Sequence, residues 1–390
     1  MKRTGFWLAC TALQVAPVWA QSSVTLFGVA EAQVGRSRPV LAAPVSASNP
    51  LGAALAQHHT TGLIPYGINA SRIGFRGIED LGHGLKVGFV LESQLSLDTG
   101  ATPARFFHRQ ANLNIAGLWG QLRMGRVYTP WNDVASNAAV GYGDTYDPYV
   151  RTWRIGGPSP LGSAIPTANG ELTGLAGALG LNNDMNSPQQ YTHVRMDKSL
   201  RYDTPRWGGF TASAQIGLLD PTGKTISAQS YAVVYDASPW RAGLGYYRQG
   251  TLSTFDPATG AHNAAAPRRG QLETVTFALN HDLGAAKLWA MLGESRYDHF
   301  VLSQRTRSRE WSLGLTLPFG GNWLLKTSLA GSDSPQLAGR DIGAAMELHH
   351  ILSKRTTAYG AFSTNRYGEL LLGQKERTAS IYALGLRHMF

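Results

Sequence analysis

Apolar and polar side chains alternate with a period of two along several segments of this chain. Residues 85–98 show the pattern most clearly. There the apolar set is Leu85, Val87, Phe89, Leu91, Leu95 and Leu97, and the polar set is Lys86, Glu92, Gln94 and Asp98. Residues 309–318 repeat it, with Trp311, Leu313, Leu315 and Leu317 set against Glu310, Ser312 and Thr316. Because successive side chains of a strand point to opposite faces, the pattern predicts strands with one apolar and one wet face.

The same alternation runs through residues 380–390. Tyr382, Leu384, Leu386 and Phe390 share one face, while the other face is mostly small and carries Arg387. A closed sheet in a membrane needs a final strand that is fully paired, so these residues favour the last strand of a barrel. We expect this strand to pair with a first strand near residues 24–28. A soluble antiparallel edge strand is the alternative.

Counting such segments predicts sixteen strands. They begin near residues 22, 67, 85, 105, 121, 193, 210, 228, 241, 270, 286, 307, 322, 340, 355 and 378. The number is even, as an up-and-down barrel requires when both ends lie on the periplasmic side. The predicted fold is therefore all-β, a transmembrane antiparallel β-barrel, and a barrel of this size encloses an aqueous channel.

The connections between these segments alternate in length. Tight turns are predicted at residues 80–84, 118–120, 207–209, 283–285 and 319–321, and long loops at 36–66, 129–192, 253–269 and 368–377. Short turns on one side and long loops on the other are typical of the two faces of a membrane barrel. The longest connection, residues 129–192, would narrow the pore if it folded into the lumen.

The amino terminus predicts export. Lys2 and Arg3 precede a short apolar run that ends in a small-residue site at Ala20, so residues 1–20 are interpreted as a signal peptide and residues 21–390 as one barrel domain. A buried amino-terminal helix is the alternative. Cys10 is the only cysteine of the sequence, so disulfides are not expected in residues 21–390. No sequence window has the ~20 continuous apolar residues of a spanning helix.

Composition agrees with a large barrel. The chain has 45 glycines, 10 tryptophans and a mean hydropathy of −0.16, which is too polar for a helical membrane protein. The formal net charge is +10, and +8 remains without Lys2 and Arg3. Because the cations are spread through alternating segments and the chain is expected to be exported, nucleic acid is not an expected partner.

Several short motifs resemble the general porins of Gram-negative outer membranes. They are residues 23–28 (SVTLFG), 71–77 (SRIGFRG), 79–82 (EDLG), 125–126 (GR), 202–205 (YDTP), 208–210 (GGF) and 385–390 (GLRHMF). The resemblance implies a sixteen-stranded homotrimeric barrel, with the third loop folded inward opposite a ladder of arginines on strands two, four and six. The matching positions are Arg72, Arg109 and Arg195. It also implies that Phe390 belongs to a carboxy-terminal signal read by the barrel-assembly machinery.

Alternation supports part of this ladder. Arg72 and Arg76 fall on the face of their strand that is opposite to its apolar face, and Arg195 shares a face with Arg201. These four side chains are therefore expected to point into the lumen. Arg109 falls with apolar residues instead. A β-bulge would turn it inward, or its strand would line a subunit interface. Ordinary solvated charges on the wet face are the alternative for the whole set.

Charges of the opposite sign are expected on the third loop. Asp133, Asp144 and Asp147 are the acids nearest its start, and facing charges would create a transverse field that orients solutes. The basic excess predicts a mild anion preference. Arg126 shares parity with outward apolar residues, so it is expected at a trimer contact; a bulge that turns it into the lumen is the alternative.

Enzyme motifs are absent from the sequence, and we expect neither a cofactor nor a metal site. The predicted function is an outer-membrane porin for passive diffusion of ions and small hydrophilic solutes, with outer-membrane lipids around it. A substrate-selective anion channel is the first alternative. A barrel enzyme or adhesin that uses its extracellular loops is the second.

Overall fold

The computed structural model describes residues 22–38, 60–64, 67–102, 106–138, 195–218, 228–253, 255–256, 261–262, 268–298, 305–334, 339–367 and 377–390. Most of these residues are in strands. The first strands are β1 (Ser22–Arg38), β2 (Thr60–Ile64), β3 (Arg72–Gly82), β4 (Leu85–Gln94), β5 (Gln110–Gly117) and β6 (Gly120–Tyr128). A helix, α1 (Pro130–Ala138), follows β6.

The remaining strands complete the sheet. They are β7 (Arg195–Asp203), β8 (Phe210–Gly217), β9 (Ala228–Ala237), β10 (Trp240–Ser253), β11 (Phe255–Asp256), β12 (Ala261–His262) and β13 (Arg268–Asp282). After them come β14 (Lys287–Asp298), β15 (Arg305–Phe319), β16 (Trp323–Ser334), β17 (Gly339–Ile351), β18 (Thr356–Tyr367) and β19 (Arg377–Met389). Among the described residues, α1 is too short to cross a bilayer, and no other helix is long and apolar enough to do so.

Sixteen of the strands close into one antiparallel barrel, as predicted. β1 pairs with β3, and each strand then pairs with the next around to β10, β13 and finally β19, which pairs with β1. β2 adds to the loop end of β1, and β11 and β12 form a separate two-stranded sheet. All sixteen predicted segments correspond to barrel strands, and most begin within two residues of the predicted start.

Closure occurs between the first and last strands, but at a different level from the one predicted. Val29 to Arg38 of β1 pair with Met389 to Ser380 of β19. Within the predicted region, residues 24–28, all five residues pair with β3, and only Gly28 also bonds to the carboxy-terminal residue: its N–H donates to the Phe390 carbonyl at 3.0 Å. The closing pairs therefore lie mostly beyond the predicted region, toward the loop end of β1.

The predicted alternation between an apolar outer face and a polar inner face is confirmed. On β19, for example, Leu384 and Leu386 are exposed on the outer face, whereas Ile381 and Ala383 are buried inside the barrel. Predicted turns are found at residues 83–84, 118–119, 208–209, 284–285 and 320–322. Two further short connections, at residues 238–239 and 352–355, were not predicted as turns. All of them lie at the end of the barrel that holds both termini of the sheet.

Helix α1 lies within residues 129–192, where the sequence predicts a loop. Its start has ordinary helix signals: Pro130 occupies the first helical position, and the Thr129 hydroxyl accepts a 3.1 Å hydrogen bond from the Asn132 N–H. Residues 139–192 lie outside the described residues. The inward folding of the third loop as a whole therefore stays a prediction.

Candidate functional site: the inner wall of the barrel

The helix α1 packs against the inner face of β8, β9, β10, β13 and β14. Trp131 is fully buried there; its backbone N–H donates to Ser230 Oγ at 3.0 Å, and its indole N–H donates to Thr276 Oγ1 at 2.9 Å. Close approach is possible because Gly243 and Gly245 face the helix. A Cβ at Gly245 would stand 3.1 Å from Trp131 Cα. The start of the third loop is thus fixed to the lumenal wall.

A salt bridge connects α1 to β7, on the side of the helix away from Trp131. Arg201 on β7 pairs with Asp133 of α1 and donates to the backbone carbonyl of Tyr128 at 2.7 Å. Asp203 accepts from Arg201 at 2.7 Å and pairs with Arg123 at 2.9 Å. The Arg201 side chain is only 2% exposed. It therefore holds the helix to β7 and is buried away from the aqueous space, which alternation alone did not show.

The three arginines of the expected ladder come together at the loop ends of β3 to β7. We call Arg72, Arg109 and Arg195 the arginine cluster. Two groups connect them, Glu92 near the end of β4 and Tyr128 at the end of β6. Because all these positions lie where neighbouring strands reach the same edge, residues far apart in sequence meet at one level of the lumen.

Glu92 joins two members of the arginine cluster. Its Oε1 lies 2.5 Å from Arg109 Nε and 3.8 Å from Arg72 Nε, and its Oε2 accepts from Gln110 Nε2 at 2.9 Å. A carboxylate between two guanidinium groups compensates their mutual repulsion. Glu92 therefore fixes the positions of both cations and leaves the cluster with more positive than negative charge.

Tyr128 joins the third arginine to the others. Its hydroxyl accepts hydrogen bonds from Arg109 Nη2 and Arg195 Nη2, both at 2.8 Å. The Arg195 guanidinium also lies over the Tyr128 ring, 4.6 Å from its centroid. A cation over an aromatic face is attracted by the ring quadrupole. Arg195 is thereby held against the wall in one orientation.

Arg109 faces this cluster although the alternation of its neighbours pointed outward. It immediately precedes β5, whose pairing with β4 begins at Gln110, so the two-residue period does not govern its direction. Its backbone N–H donates to the Glu92 carbonyl at 3.1 Å, and its side chain turns to the Glu92 carboxylate. A bulge within the strand is not needed to explain this direction.

Arg76 lies on the same face of β3 but apart from the cluster. It is exposed, and its guanidinium is 5.4 Å from the centroid of the Phe27 ring. It therefore adds a second level of positive charge nearer the short turns.

Arg126 is buried within the chain. Its guanidinium pairs with Asp197 and donates to the carbonyl of His108. The register between β6 and β7 shifts between Gly125 and Val127, and Lys198 on β7 has a φ of 45°, so strict alternation fails here. Its charge is balanced inside the chain, and the predicted trimer contact at Arg126 stays a prediction.

Of the three acids expected on the third loop, only Asp133 lies within the described residues. Asp133 is 32% exposed and contacts Arg201 directly, so it lies beside its basic partner and not across the lumen from it. Asp144 and Asp147 lie outside the described residues. Glu92, Tyr128, Asp203 and Arg123 were not singled out by the sequence analysis. Only Glu92 had a signal, its position on the polar face of residues 85–98.

A second segment lies against the opposite part of the inner wall. We call residues 67–71 the first-loop latch. Glu31 on β1 accepts from the Asn69 N–H at 2.8 Å and from the Tyr359 hydroxyl at 2.5 Å, while Ser71 Oγ accepts from the Glu31 N–H at 2.9 Å. Gly67 fits only without a side chain, because a Cβ would stand 1.9 Å from Glu31 Oε1 and from the Tyr359 hydroxyl.

Apolar contacts complete the latch. Ile68 packs with the inner faces of β17, β18 and β19, in a cluster with Ile64, Ala345, Tyr359, Ala361, Ile381 and Ala383. Two elements thus lie on the inner wall of the barrel, α1 and the first-loop latch. The arginine cluster lies at the loop ends of β3 to β7.

This barrel geometry agrees with comparisons to known proteins. The family model for Gram-negative porins matches residues 9–370. The chain is 27% identical to outer membrane porin protein 32 of Delftia acidovorans, covering 99% of this chain and 95% of that protein. It is 23% identical to the major outer membrane protein P.IB of Neisseria meningitidis serogroup B, covering 98% of this chain and 99% of the relative.

Solved structures show the same fold. The anion-selective porin from Comamonas acidovorans superposes with a TM-score of 0.70 at 23% identity, covering 95% of this chain and 100% of that one. OmpT of Vibrio cholerae in its trimer form superposes with a TM-score of 0.61 at 12% identity, covering 95% and 99%. The family match spans almost the whole sequence and coincides with the closed sixteen-stranded barrel, so this chain belongs to the family of Gram-negative porins, proteins of the outer membrane.

Proposed function

We propose that this porin is a passive, water-filled channel for ions and small hydrophilic solutes with a mild preference for anions. The arginine cluster carries the proposal. Arg72, Arg109 and Arg195 are held at one level of the inner wall, where Glu92 contacts Arg72 and Arg109 and the Tyr128 hydroxyl accepts from Arg109 and Arg195. The excess positive charge would concentrate anions at this level and repel cations.

The rigidity of the cluster supports passage without tight binding. Each guanidinium is held by contacts to Glu92 or Tyr128, so the charges form a fixed field along the wall. A fixed field can select by sign while ions remain hydrated. The structural relative from Comamonas acidovorans is described as anion-selective, which favours the same sign of selectivity here.

Assembly and export complete the proposal. We expect a homotrimer, as the Vibrio cholerae relative is described in a trimer form. The outer faces of β1 and β5 have small residues, including Ala30, Ala32 and Ala111, on which a neighbouring subunit could pack closely. Arg126 is the proposed contact residue at the edge of this subunit contact. Residues 1–20 would direct export, and Phe390 would contribute to recognition by the barrel-assembly machinery.

Planar-bilayer recordings test the pore function. The folded protein, reconstituted in a KCl gradient, should give ohmic steps with a reversal potential displaced toward the chloride equilibrium potential. A conductance that saturates, or that one anionic solute blocks at micromolar concentration, would favour a substrate-selective anion channel. A reversal potential displaced toward the potassium equilibrium potential would overturn the proposal. So would the absence of conductance from protein that is verified to be folded.

A further inference from the structure

Arg72 is held from two sides, and one of these contacts comes from outside the arginine cluster. On the β4 side, Glu92 Oε1 lies 3.8 Å from Arg72 Nε. On the β1 side, Arg72 Nη2 donates a 3.0 Å hydrogen bond to Asn69 Oδ1, an atom of the first-loop latch. The guanidinium is therefore fixed at two of its nitrogen atoms, by two groups that belong to different parts of the inner wall.

The position of Asn69 is set by contacts that do not involve the arginine cluster. Its N–H donates to Glu31 Oε2 at 2.8 Å, and the other oxygen of the same carboxylate accepts from the Tyr359 hydroxyl. On one side of Asn69, Ile68 is 2% exposed; on the other, Ser71 Oγ accepts from the Glu31 N–H at 2.9 Å and donates to the Glu31 carbonyl at 3.1 Å. The backbone that carries the Oδ1 acceptor is thus fixed to the wall.

The hydrogen bond between Asn69 and Arg72 differs from the contact of an ordinary turn. The two residues are three positions apart, so their side chains could also meet in an isolated loop. Here, however, Asn69 is bound to Glu31, which lies 38 residues earlier, and Glu31 is bound to Tyr359, which lies 328 residues later. Two barrel strands, β1 and β18, therefore hold the acceptor that holds Arg72.

Arg72 needs a second contact because a like charge shares its carboxylate. Arg109 Nε lies 2.5 Å from the same Glu92 Oε1 atom, and two guanidinium groups on one carboxylate repel each other. The more loosely bound of the two would move away first. That residue is Arg72, because its ion pair is longer, at 3.8 Å, and its side chain is 25% exposed against 9% for Arg109. The hydrogen bond to Asn69 opposes this movement.

We propose that Asn69 is a positioning residue for Arg72, through which the first-loop latch sets the strength of the anion selectivity. Its Oδ1 atom keeps the Arg72 guanidinium at the level of the arginine cluster against repulsion from Arg109. This role rests on the proposed function, because it concerns the same selectivity. It adds the acceptor that keeps one of the three charges in place, and the part of the wall that holds this acceptor.

The test compares reversal potentials in a KCl gradient for the full-length folded protein, Asn69→Ala, Arg72→Gln and the double variant. Asn69→Ala removes the Oδ1 acceptor and keeps the N–H that donates to Glu31. If Arg72 moves from ~5 Å to ~8 Å from a passing ion, the anion-to-cation permeability ratio should fall about threefold. Arg72→Gln removes the charge and should lower the ratio at least about fourfold. The double variant should match Arg72→Gln, because no guanidinium is left to position.

Asn114→Ala is the matched control. Asn114 lies on the polar face of β5, and its Oδ1 accepts a 3.2 Å hydrogen bond from Gln121 Nε2, a neutral donor. The substitution removes the same side-chain atoms from the inner wall without releasing a cation. The permeability ratio of this variant should therefore equal the native ratio, and a threefold fall here would show that the loss of any such acceptor lowers the ratio, which would overturn the proposal.

The outcomes distinguish a failure of this role from a failure of the proposed function. An unchanged ratio in Asn69→Ala, beside a lower ratio in Arg72→Gln, would overturn the positioning role and leave the anion-selective channel standing. A further fall when Asn69→Ala is added to Arg72→Gln would also overturn it, since the effect would not act through Arg72. An unchanged ratio in Arg72→Gln would overturn both, because Arg72 would then lie away from the ion path.

A second variant keeps the test decisive if Asn69→Ala does not fold. Arg72→Lys keeps the positive charge but replaces the planar fork, whose Nη2 and Nε contact Asn69 and Glu92 separately, by a single ammonium group. The charge should again be displaced, and the permeability ratio should again fall about threefold. A native ratio in Arg72→Lys would overturn the positioning role of Asn69.

Discussion

Arg195 donates a 2.8 Å hydrogen bond to the hydroxyl of Tyr128, which lies 67 residues earlier in the chain, and stacks over the same ring. Tyr128 ends the strand from which the third loop departs, and Arg195 begins the strand to which the loop returns. The two ends of the third loop are thus tied together at the arginine cluster. A charge held in this way acts on passing ions from a fixed position.

Replacing both Arg72 and Arg195 by Gln should shift selectivity toward cations. A unit charge ~4–10 Å from an ion in water contributes about 0.4–1 kcal/mol, which is about a twofold to sixfold change in the local concentration of that ion. Because anions and cations are affected with opposite sign, each loss should lower the anion-to-cation permeability ratio by about 4-fold to 34-fold. Reversal potentials in a KCl gradient measure this ratio. The control is Tyr128→Phe, which keeps every charge and the stacking ring. An unchanged reversal potential in the double variant would place both arginines away from the ion path.

Glu92→Gln should shift selectivity in the opposite direction. The substitution removes the carboxylate between Arg72 and Arg109 but keeps an acceptor for their hydrogen bonds, so the cluster gains one net positive charge. We expect a higher anion-to-cation ratio, and a loss of folding stability of about 1–3 kcal/mol from the weakened hydrogen bonds. Glu79→Gln, an exposed position on the same hairpin, should change neither quantity. A cation shift in Glu92→Gln would contradict the proposed role.

The outer face of this barrel could be predicted from the sequence far better than its interior. Lipid imposes a strict period of two on positions such as Leu313 and Leu384, and that period located all sixteen strands. The interior follows no such rule. Arg109 precedes its strand, Lys198 sits at a register shift, and the contact of Glu92 with Arg109 depends on the pairing of two strands.

Helix α1 shows the same limit. The alternation of Gly243 and Gly245 with outward residues is visible in the sequence, but glycine in a strand also marks bulges and bends. That these two glycines receive Trp131 and Val134 follows only from the packed structure. The fold could therefore be predicted, whereas the contacts that shape the lumen could not.

A disulfide should lock α1 to the wall without changing the channel. A Cβ at Gly243 would lie 3.5 Å from Val134 Cβ, within the range of ~3.5–4.5 Å that disulfides require. The double variant Val134→Cys and Gly243→Cys should form this bond, and its single-channel conductance should match the native value with and without reductant. Each single cysteine variant is a control. A conductance that rises on reduction would mean that α1 leaves the wall in the conducting state.

Tyr359→Phe should loosen the first-loop latch. The Tyr359 hydroxyl donates to Glu31 at 2.5 Å and lies 3.1 Å from Gln33 Oε1, and Glu31 in turn accepts from the Asn69 N–H. Losing this donor should cost about 1–3 kcal/mol, which corresponds to about 5-fold to 150-fold faster amide exchange in residues 67–71. Tyr382→Phe on the outer face is the matched control. Unchanged exchange in Tyr359→Phe would show that apolar packing alone holds the latch.

The closure of the barrel depends on Gly28 and Phe390. A Cβ at Gly28 would stand 2.4 Å from Cζ of the Phe390 ring and 2.5 Å from the backbone oxygen of Arg72, and backbone cannot move aside as a flexible side chain can. Gly28→Val should therefore lower the yield of folded, heat-modifiable barrels. Ala344→Val, at a small outward residue of β17 outside the proposed subunit contact, should fold normally.

Removing Phe390 should impair the same step from the other strand. The deletion loses a ring over Gly28 and two backbone hydrogen bonds, of 3.0 and 3.2 Å, at about 1 kcal/mol each. The Phe390 ring shares the exposed outer face of β19 with Leu384 and Leu386, whereas the arginine side chains of the cluster lie on the inner wall, so channels that do assemble should keep the native conductance. Yield is measured by electrophoretic mobility before and after heating, and conductance in planar bilayers. A normal yield with altered conductance would place the function of Phe390 in the pore and not in barrel closure.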